Sequence, residues 1–418
     1  MTQRKGVMSY ETALTVILGL TFGFVFFDRN ALNYLMPFIL PEMKLSNAQI
    51  GILGAGLSLT WALSGYVIGN LSDRLAQRKR LLLIAVVVFS LSSFVSGLAT
   101  SFLMLLGARI LMGIADGPVL PISQSLMAVE SSPERRGLNM GLMQNVMSNL
   151  MGSLVAPLVV VALATAFNWR VAFFVTGIPG LIIAFMIWRY VREPLLARAA
   201  QAEAKAPPPT LAVIREVISH RNVWLCVIIS GLMVGWMILG WIFLPVYFTQ
   251  SAGISPTQMS IIMSVLGVTG ALAGFIIPGL SDRFGRRPVM IVFCAVGVLS
   301  PLAALFLADA FVPLALILGT GWIAGGTFSI FMATIPSESV PEAHIATTMG
   351  LIMGTGELIG GFAAPLIVGW ASDIYGLTTP LIAEIILAGS AAVLSLFLIE
   401  TAPVKKIGGA AERQNLAA

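Results

Sequence analysis

Stretches of about 20 apolar residues recur along the whole chain, each long enough to cross a bilayer core of about 30 Å as a helix. No other feature restricts the fold as much. Inside hydrocarbon every backbone N–H and C=O must be paired, which only helices and closed barrels achieve. A barrel would show alternating segments of about ten residues, and none is present. Breaking the sequence at polar and Gly/Pro punctuation gives twelve spans, at 12–38, 46–70, 80–99, 102–128, 138–166, 170–191, 222–249, 256–279, 288–308, 311–335, 344–372 and 378–400. The expected fold is therefore an all-α membrane protein of twelve transmembrane helices. Composition agrees: 10% of residues are charged and the mean hydropathy is +0.93, whereas a soluble domain carries about 25% charged residues. The 41 glycines suit helices that pack through small residues.

The charges that remain are sorted by side. Of the 24 Lys and Arg, 20 fall in the N-terminal segment, alternate loops, the central linker and the tail; Lys44 and Arg170 lie in the opposite loops, and Arg29 and Arg109 lie inside spans. By the positive-inside rule both termini are cytoplasmic. The net charge of +5 thus reports topology rather than a nucleic-acid surface. The basic N-terminus precedes a long span without an A-x-A cleavage site and reads as a retained first span. Between the sixth and seventh spans, REPLLARAAQAEAKAPPPTLAVIREVISHRN reads as a linker with a short surface helix. The expected division is residues 1–191, a linker at 192–221, a second half at 222–402 and a tail at 403–418.

The two halves repeat. GNLSDRLAQRKR (69–80) returns as PGLSDRFGRRPV (278–289), with Asp73 and Asp282 separated by 209 residues. ESSPERRGLNMGL (130–142) returns as ESVPEAHIATTMGL (338–351), with Pro133 and Pro341 separated by 208. A shift of half the chain at two places indicates two pseudo-symmetric six-helix halves. These DR-x-G-R-R-like loops after spans 2 and 8, with twelve spans and a basic central linker, resemble the major facilitator superfamily across nearly the whole chain. The first copy departs from the pattern at Ala76 and Gln77, and the second at Pro278. His344 and Ile345 replace the Arg135 and Arg136 of the first half.

In FGFVFFDRNALNYLMPF (22–38), Asp28 and Arg29 stand where hydrocarbon is expected. A central Arg costs about 2.5–3.5 kcal/mol on insertion scales and normally faces a partner or a polar cavity. Asp28 and Arg29 lie ~100° apart around the helix. Arg29 can share a face with Asn33, while Asp28 turns toward a neighbouring helix. In span 4, Arg109 and Asp116 are nearly two turns apart on one face. These four could be two self-satisfied ion pairs that fix packing, but buried pairs stabilise poorly against apolar packing, which favours a working role. Glu357 lies in mid-span 11 among glycines, and Glu384 lies nearer the outer end of span 12. A carboxyl in low dielectric can exchange protons near neutral pH, so Asp28, Asp116 and Glu357 are the proton-coupling candidates.

FFDRNALNY together with ARILMGIADGP resembles the anion:cation symporters of the superfamily, which carry organic anions such as hexuronates with protons. That resemblance implies that Arg29 contacts a substrate carboxylate, with Asn33 and Tyr34 on the same stretch and Arg109 and Asp116 in span 4. The family acid at that last position is usually Glu, and the Asp-Arg pair of span 1 also occurs in spinster-like lysolipid exporters. Span 5 adds Gln144, Asn145 and Asn149, amides that either bind a hydroxylated acid or hold helices together. In the loops, Asp73, Arg74, Asp282 and Arg283 set topology and are expected to lock a cytoplasmic gate with Arg135 and Arg136.

No phosphate-binding loop, Cys/His metal cluster or hydrolase elbow occurs. Cys226 and Cys294 fall inside apolar segments, as small buried residues do. The expected protein is no enzyme and uses no cofactor beyond a proton gradient. It is an inner-membrane secondary transporter, a monomer that imports a small organic anion with protons. Proton-antiport export of drugs or lysolipids is the alternative, and a non-transporting sensor that keeps the fold is a third reading.

Overall fold

The computed structural model describes residues 10–75, 77–132, 135–193 and 211–402; the side chains of 70, 73–75, 211 and 212, the tail 403–418 and most of the linker lie outside the described residues. Eleven helices are long and apolar enough to cross a membrane, at Tyr10–Met43, Asn47–Gly69, Arg78–Gly97, Phe102–Glu130, Arg136–Ala166, Trp169–Tyr190, Arg221–Gln250, Pro256–Phe284, Arg286–Phe306, Phe311–Ser339 and Glu342–Tyr375. A shorter apolar helix, Thr379–Ser395, completes twelve. They are numbered here spans 1 to 12. The short helix expected in the linker is Leu211–Ser219, whose Glu216 lies 3.6 Å from His344 at the start of span 11.

Several spans are not regular α-helices. Span 4 breaks at Gly117 and Pro118 between Phe102–Asp116 and Val119–Glu130. Span 5 contains wide π-helical turns at Leu142–Val146 and Leu150–Val155, and span 11 contains one at Glu357–Ala363. Span 10 tightens at Ile323–Thr327 and widens at Ile330–Thr334. Such turns rarely persist without a packing or functional reason.

The described residues group into two units: 10–44 with 59–193, and 45–58 with 211–402. The opening turns of span 2 thus pack with the second unit. In the first unit, span 1 runs against span 5 at very short range. A Cβ on Gly23 would stand 2.8 Å from the Met147 carbonyl oxygen, and one on Gly152 would stand 2.6 Å from Phe26 Cβ. Around this seam Leu14, Leu18, Phe22 and Val25 meet Leu82, Val86, Phe89, Leu126 and Ile187 in one apolar core. In the second unit, spans 7 and 11 do the same with paired small residues: a Cβ on Gly360 would lie 2.3 Å from Gly235 N and 2.7 Å from Gly231 O. Close approach through glycine gives membrane helices their van der Waals contact without any hydrophobic driving force.

The repeated loops are built alike, but not through the residues expected. Glu193, just past span 6, accepts the backbone N–H groups of Arg78 (2.7 Å) and Lys79 (2.9 Å) at the start of span 3. Glu400, just past span 12, accepts those of Arg286 (2.9 Å) and Arg287 (3.1 Å) at the start of span 9. Each carboxylate therefore satisfies orphan donors and meets the positive end of a helix. The residue before each start differs. Gly285 has φ 105°, which glycine adopts freely, whereas Gln77 has φ −122°. At Gln77 the backbone lies outside the left-handed region, so a side chain is accommodated there; Ala76, the counterpart of Gly285 by the 209-residue shift, lies outside the described residues.

Candidate functional site

Asp28 and Arg29 diverge, as their spacing requires. Asp28 is buried, with 1% of its surface exposed, and accepts hydrogen bonds from Ser93 in span 3 and from Thr176 in span 6, the latter at 3.1 Å. Arg109 of span 4, equally buried, uses the neighbouring turn of the same two helices. Its Nη2 donates to Ser96 at 3.1 Å and its guanidinium lies 5.7 Å from the Phe173 ring centre. Asp28 and Asp116 are the charges that act on Arg109, and no direct ion pair closes between them. Nε and Nη1 of Arg109 have no hydrogen-bond partner among the described residues. Arg109, expected to touch substrate, is instead sealed inside the first unit, where it balances two carboxylates.

Asp116 ends the first helix of span 4. It is 1% exposed, and neither carboxyl oxygen has a donor among the described residues. The charged groups acting on it are Asp28, Arg29 and Arg109, so these four residues form one electrostatic cluster.

Arg29 is the member that reaches the surface. It is half-buried, with its guanidinium 5.8 Å from the Phe26 ring centre and 5.3 Å from that of Trp61. It makes no hydrogen bond or ion pair with any described residue. Two aromatic faces hold a cation without consuming its planar fork of donors. Asn33, one turn on, is likewise half-buried. Tyr34 is fully buried and donates its hydroxyl to the Gly152 carbonyl at 3.2 Å, beside Asn30 at 3.1 Å. It therefore faces the span 1–span 5 seam rather than a ligand.

The span 5 amides are partly spent within the protein. Gln144 accepts from Gln124 at 2.9 Å, and Asn149 donates to the Asn145 carbonyl at 2.9 Å; only Asn145 is exposed. Glu357 is half-buried and opens the π-helical segment of span 11, its carboxyl folded over Gly361. A shift of 208 carries Asn149, which lies between the two wide turns of span 5, to Glu357, which opens the wide turn of span 11.

At the span ends, Asp282 pairs with Arg286, which also binds Glu338 at 2.9 Å; Thr401 adds a hydrogen bond to Glu338 at 2.6 Å. The sequence did not single out Glu338, Glu193 or Glu400. Arg135 and Arg136 are exposed and pair with none of these, and Arg283 lies 5.5 Å from the Phe284 ring centre. The side chains of Asp73 and Arg74 lie outside the described residues. In span 7, Trp236 is fully buried and Tyr247 is 6% exposed with its hydroxyl on the Ala304 carbonyl. Glu384 is completely buried.

Twelve apolar spans in two repeated units, with an ionisable cluster inside the first, define a polytopic membrane transporter rather than an enzyme. The chain belongs to the Major Facilitator Superfamily, whose profile matches residues 18–365 and 240–417. It is 30% identical over 380 residues to the probable 4-methylmuconolactone transporter of Cupriavidus pinatubonensis, covering 89% of this chain and 86% of that one. It is 28% identical over 294 residues to the hexuronate transporter of Bacillus subtilis, covering 68% of each. Among solved structures, a bacterial homologue of the lysosomal transporter spinster superposes with a TM-score of 0.72 at 20% identity, over 94% of this chain and 95% of that one. That likeness concerns the fold.

Proposed function

We propose that the protein imports a small organic carboxylate with protons across the inner membrane, as a monomer with both termini cytoplasmic. The observation that carries this reading is Arg29: a half-buried guanidinium in mid-span 1, braced by Phe26 and Trp61 and without an ion pair or hydrogen bond to any described residue. A planar fork of donors with no acceptor suits a carboxylate, which can take two parallel hydrogen bonds. Asn33, on the same face, is placed to bind a hydroxyl of the cargo. The names of the two relatives, one carrying hexuronate and one 4-methylmuconolactone, support an oxygen-rich organic acid.

Coupling to protons follows from the cluster behind Arg29. With Asp28 and Asp116 both ionised, two carboxylates face Arg109 and Arg29. One proton on Asp116 leaves Asp28 to balance Arg109 and makes Arg29 the cation available to an incoming anion. Anion and proton then enter as a neutral set, and the loaded carrier reorients without exposing an uncompensated charge to low dielectric. Release of both restores the cluster. Glu357, in the wide turn of span 11, is the further acid available to this cycle, and the Asp282–Arg286–Glu338 network holds the cytoplasmic ends of the second unit.

Uptake of labelled hexuronate and aromatic acids into proteoliposomes tests the reading. An inward proton gradient should accelerate uptake of at least one acid, and a protonophore should abolish the acceleration. Uptake indifferent to the gradient, or proton-driven efflux of lysolipids or cationic drugs without acid transport, refutes it.

A further inference from the structure

The second unit holds a polar cluster that the cycle above does not use. Glu384 lies in span 12, five residues from the Thr379 end, and is fully buried. Neither of its carboxyl oxygens has a hydrogen-bond partner among the described residues. One oxygen lies 3.5 Å from where a Cβ on Gly240 of span 7 would stand, and the benzo edge of Trp322 lies 2.8 Å from the same point. Trp322 in turn stacks on Trp236, with ring centres 4.7 Å apart, and meets Trp241 edge-on at 5.2 Å. Trp236 Nε1 and Ser300 Oγ, the latter beside Gly321, are also buried without partners. Four unsatisfied polar atoms thus gather around one tryptophan.

Among the described residues no charge acts on this acid. Among the helices packed against span 12, Arg286 and Arg287 of span 9 are committed to Asp282, Glu338 and the Leu396 carbonyl. Tyr247 of span 7 donates to Ala304, and Asp373 of span 11 accepts from Asn47 and Ala48. Cys226 and Cys294 are buried thiols, Glu357 folds over Gly361, and Arg221 and Tyr375 are exposed. Walled by indoles and glycine with a single carboxyl, the site offers too few oxygens to hold a hard metal cation. A bare carboxylate without a donor or counter-charge is a costly occupant of such surroundings.

We infer that Glu384 is a proton-binding site of the second unit, loaded from the Thr379 end of span 12 and emptied during the transport cycle. It extends the proton-coupled reading to a unit in which spans 7 and 10 carry no ionisable residue at the matching depth. The short distance to the Thr379 end, about 7.5 Å of helix rise, gives a proton a short path that bypasses Asp28 and Asp116.

Difference infrared spectroscopy of the purified full-length protein in lipid tests this without any substrate. A neutral-carboxyl stretching band should appear on acidification, be absent from Glu384→Gln, shift in frequency in Glu384→Asp, and persist in Asp116→Asn. Adding transported acid at fixed pH should alter the same band in wild type. A band unaffected by Glu384→Gln, or one assigned to Glu384 that responds to neither pH nor substrate, overturns the inference. Because the acidification experiment needs no cargo, its failure leaves the organic-anion reading standing. A failed uptake screen likewise leaves the proton site standing.

Discussion

Replacing Arg29 is the perturbation that discriminates most sharply. The guanidinium has no hydrogen-bond acceptor among the described residues, so its removal orphans no hydrogen bond in the unloaded state; what is lost is its charge near Asp116 and the contacts to Phe26 and Trp61, at about 0.5–1 kcal/mol each. In the loaded state a carboxylate loses two charge-assisted hydrogen bonds, each of about 1.5–3 kcal/mol. Because Arg29 is only half-buried, solvent screening discounts the pair below the sum of that range, to about 2–3 kcal/mol together. Arg29→Ala should therefore weaken binding of the transported acid by roughly 30- to 150-fold. Arg29→Lys keeps the charge but not the fork and should weaken it by about 1 kcal/mol, roughly 5-fold. Isothermal titration in detergent measures the affinities, and thermal melting of the unloaded protein measures stability. Wild-type affinity in Arg29→Ala refutes the carboxylate contact. A large loss of melting temperature in that variant shows instead that Arg29 is a packing residue.

Arg109 should behave in the opposite way: Arg109→Leu leaves Asp28 and Asp116 without their shared counter-charge, so the unloaded protein should lose about 3–5 kcal/mol by melting. Restoration of stability by the further change Asp28→Asn checks that charge balance is the cause. Gly360→Ala drives a Cβ into the backbone of Gly231 and Gly235, which cannot rotate away, and should destabilise by about 1–3 kcal/mol; Gly354→Ala, with open space around it, should be neutral or slightly stabilising by the same melt. Glu400→Gln weakens the cap on span 9 and should cost about 1–2 kcal/mol, seen as faster hydrogen exchange at Arg286 and Arg287.

All twelve spans were legible in the sequence because bilayer thickness converts directly into run length, and that signal needs no knowledge of neighbours. The departures from regular helix were not, since nothing local distinguishes Leu142–Val146 or Glu357–Ala363 from ordinary α-helix; their wide turns arise where spans 1 and 7 press close. Spacing on one helix fixed the divergence of Asp28 from Arg29 and the common face of Arg109 and Asp116. It could not show that Ser93 and Thr176 would receive Asp28, because that depends on which helices adjoin span 1. Two residues missed did carry a signal. Glu193 and Glu400 recur at a shift of 207 just past the last span of each half, the same kind of repeat that revealed the loops. In span 12, Glu384 shares its stripe with Ala388, Ala391 and Ser395, a line of small buried residues that marks an inward face.

The repeat separates what the fold requires from what the function requires. Glu193 and Glu400 cap equivalent helices, and Arg78 and Arg286 are both buried beside those caps. These duplicated residues hold loops together in each unit, which both copies need. The interior charges are not duplicated. Span 7, opposite span 1 in the repeat, reads GLMVGWMILGWI at 231–242, and span 10, opposite span 4, has no ionisable residue between Phe311 and Ile335. Its place is taken by stacked indoles and by acids in spans 11 and 12. Had the charges of spans 1 and 4 served only to pack helices, the second unit would face the same packing problem and show a similar solution. Both units pack their spans closely through glycine, Gly23 and Gly152 in the first and Gly231, Gly235, Gly356 and Gly360 in the second, so the unduplicated charges of spans 1 and 4 support the proposal that Arg29 and the acids behind it serve a charged cargo.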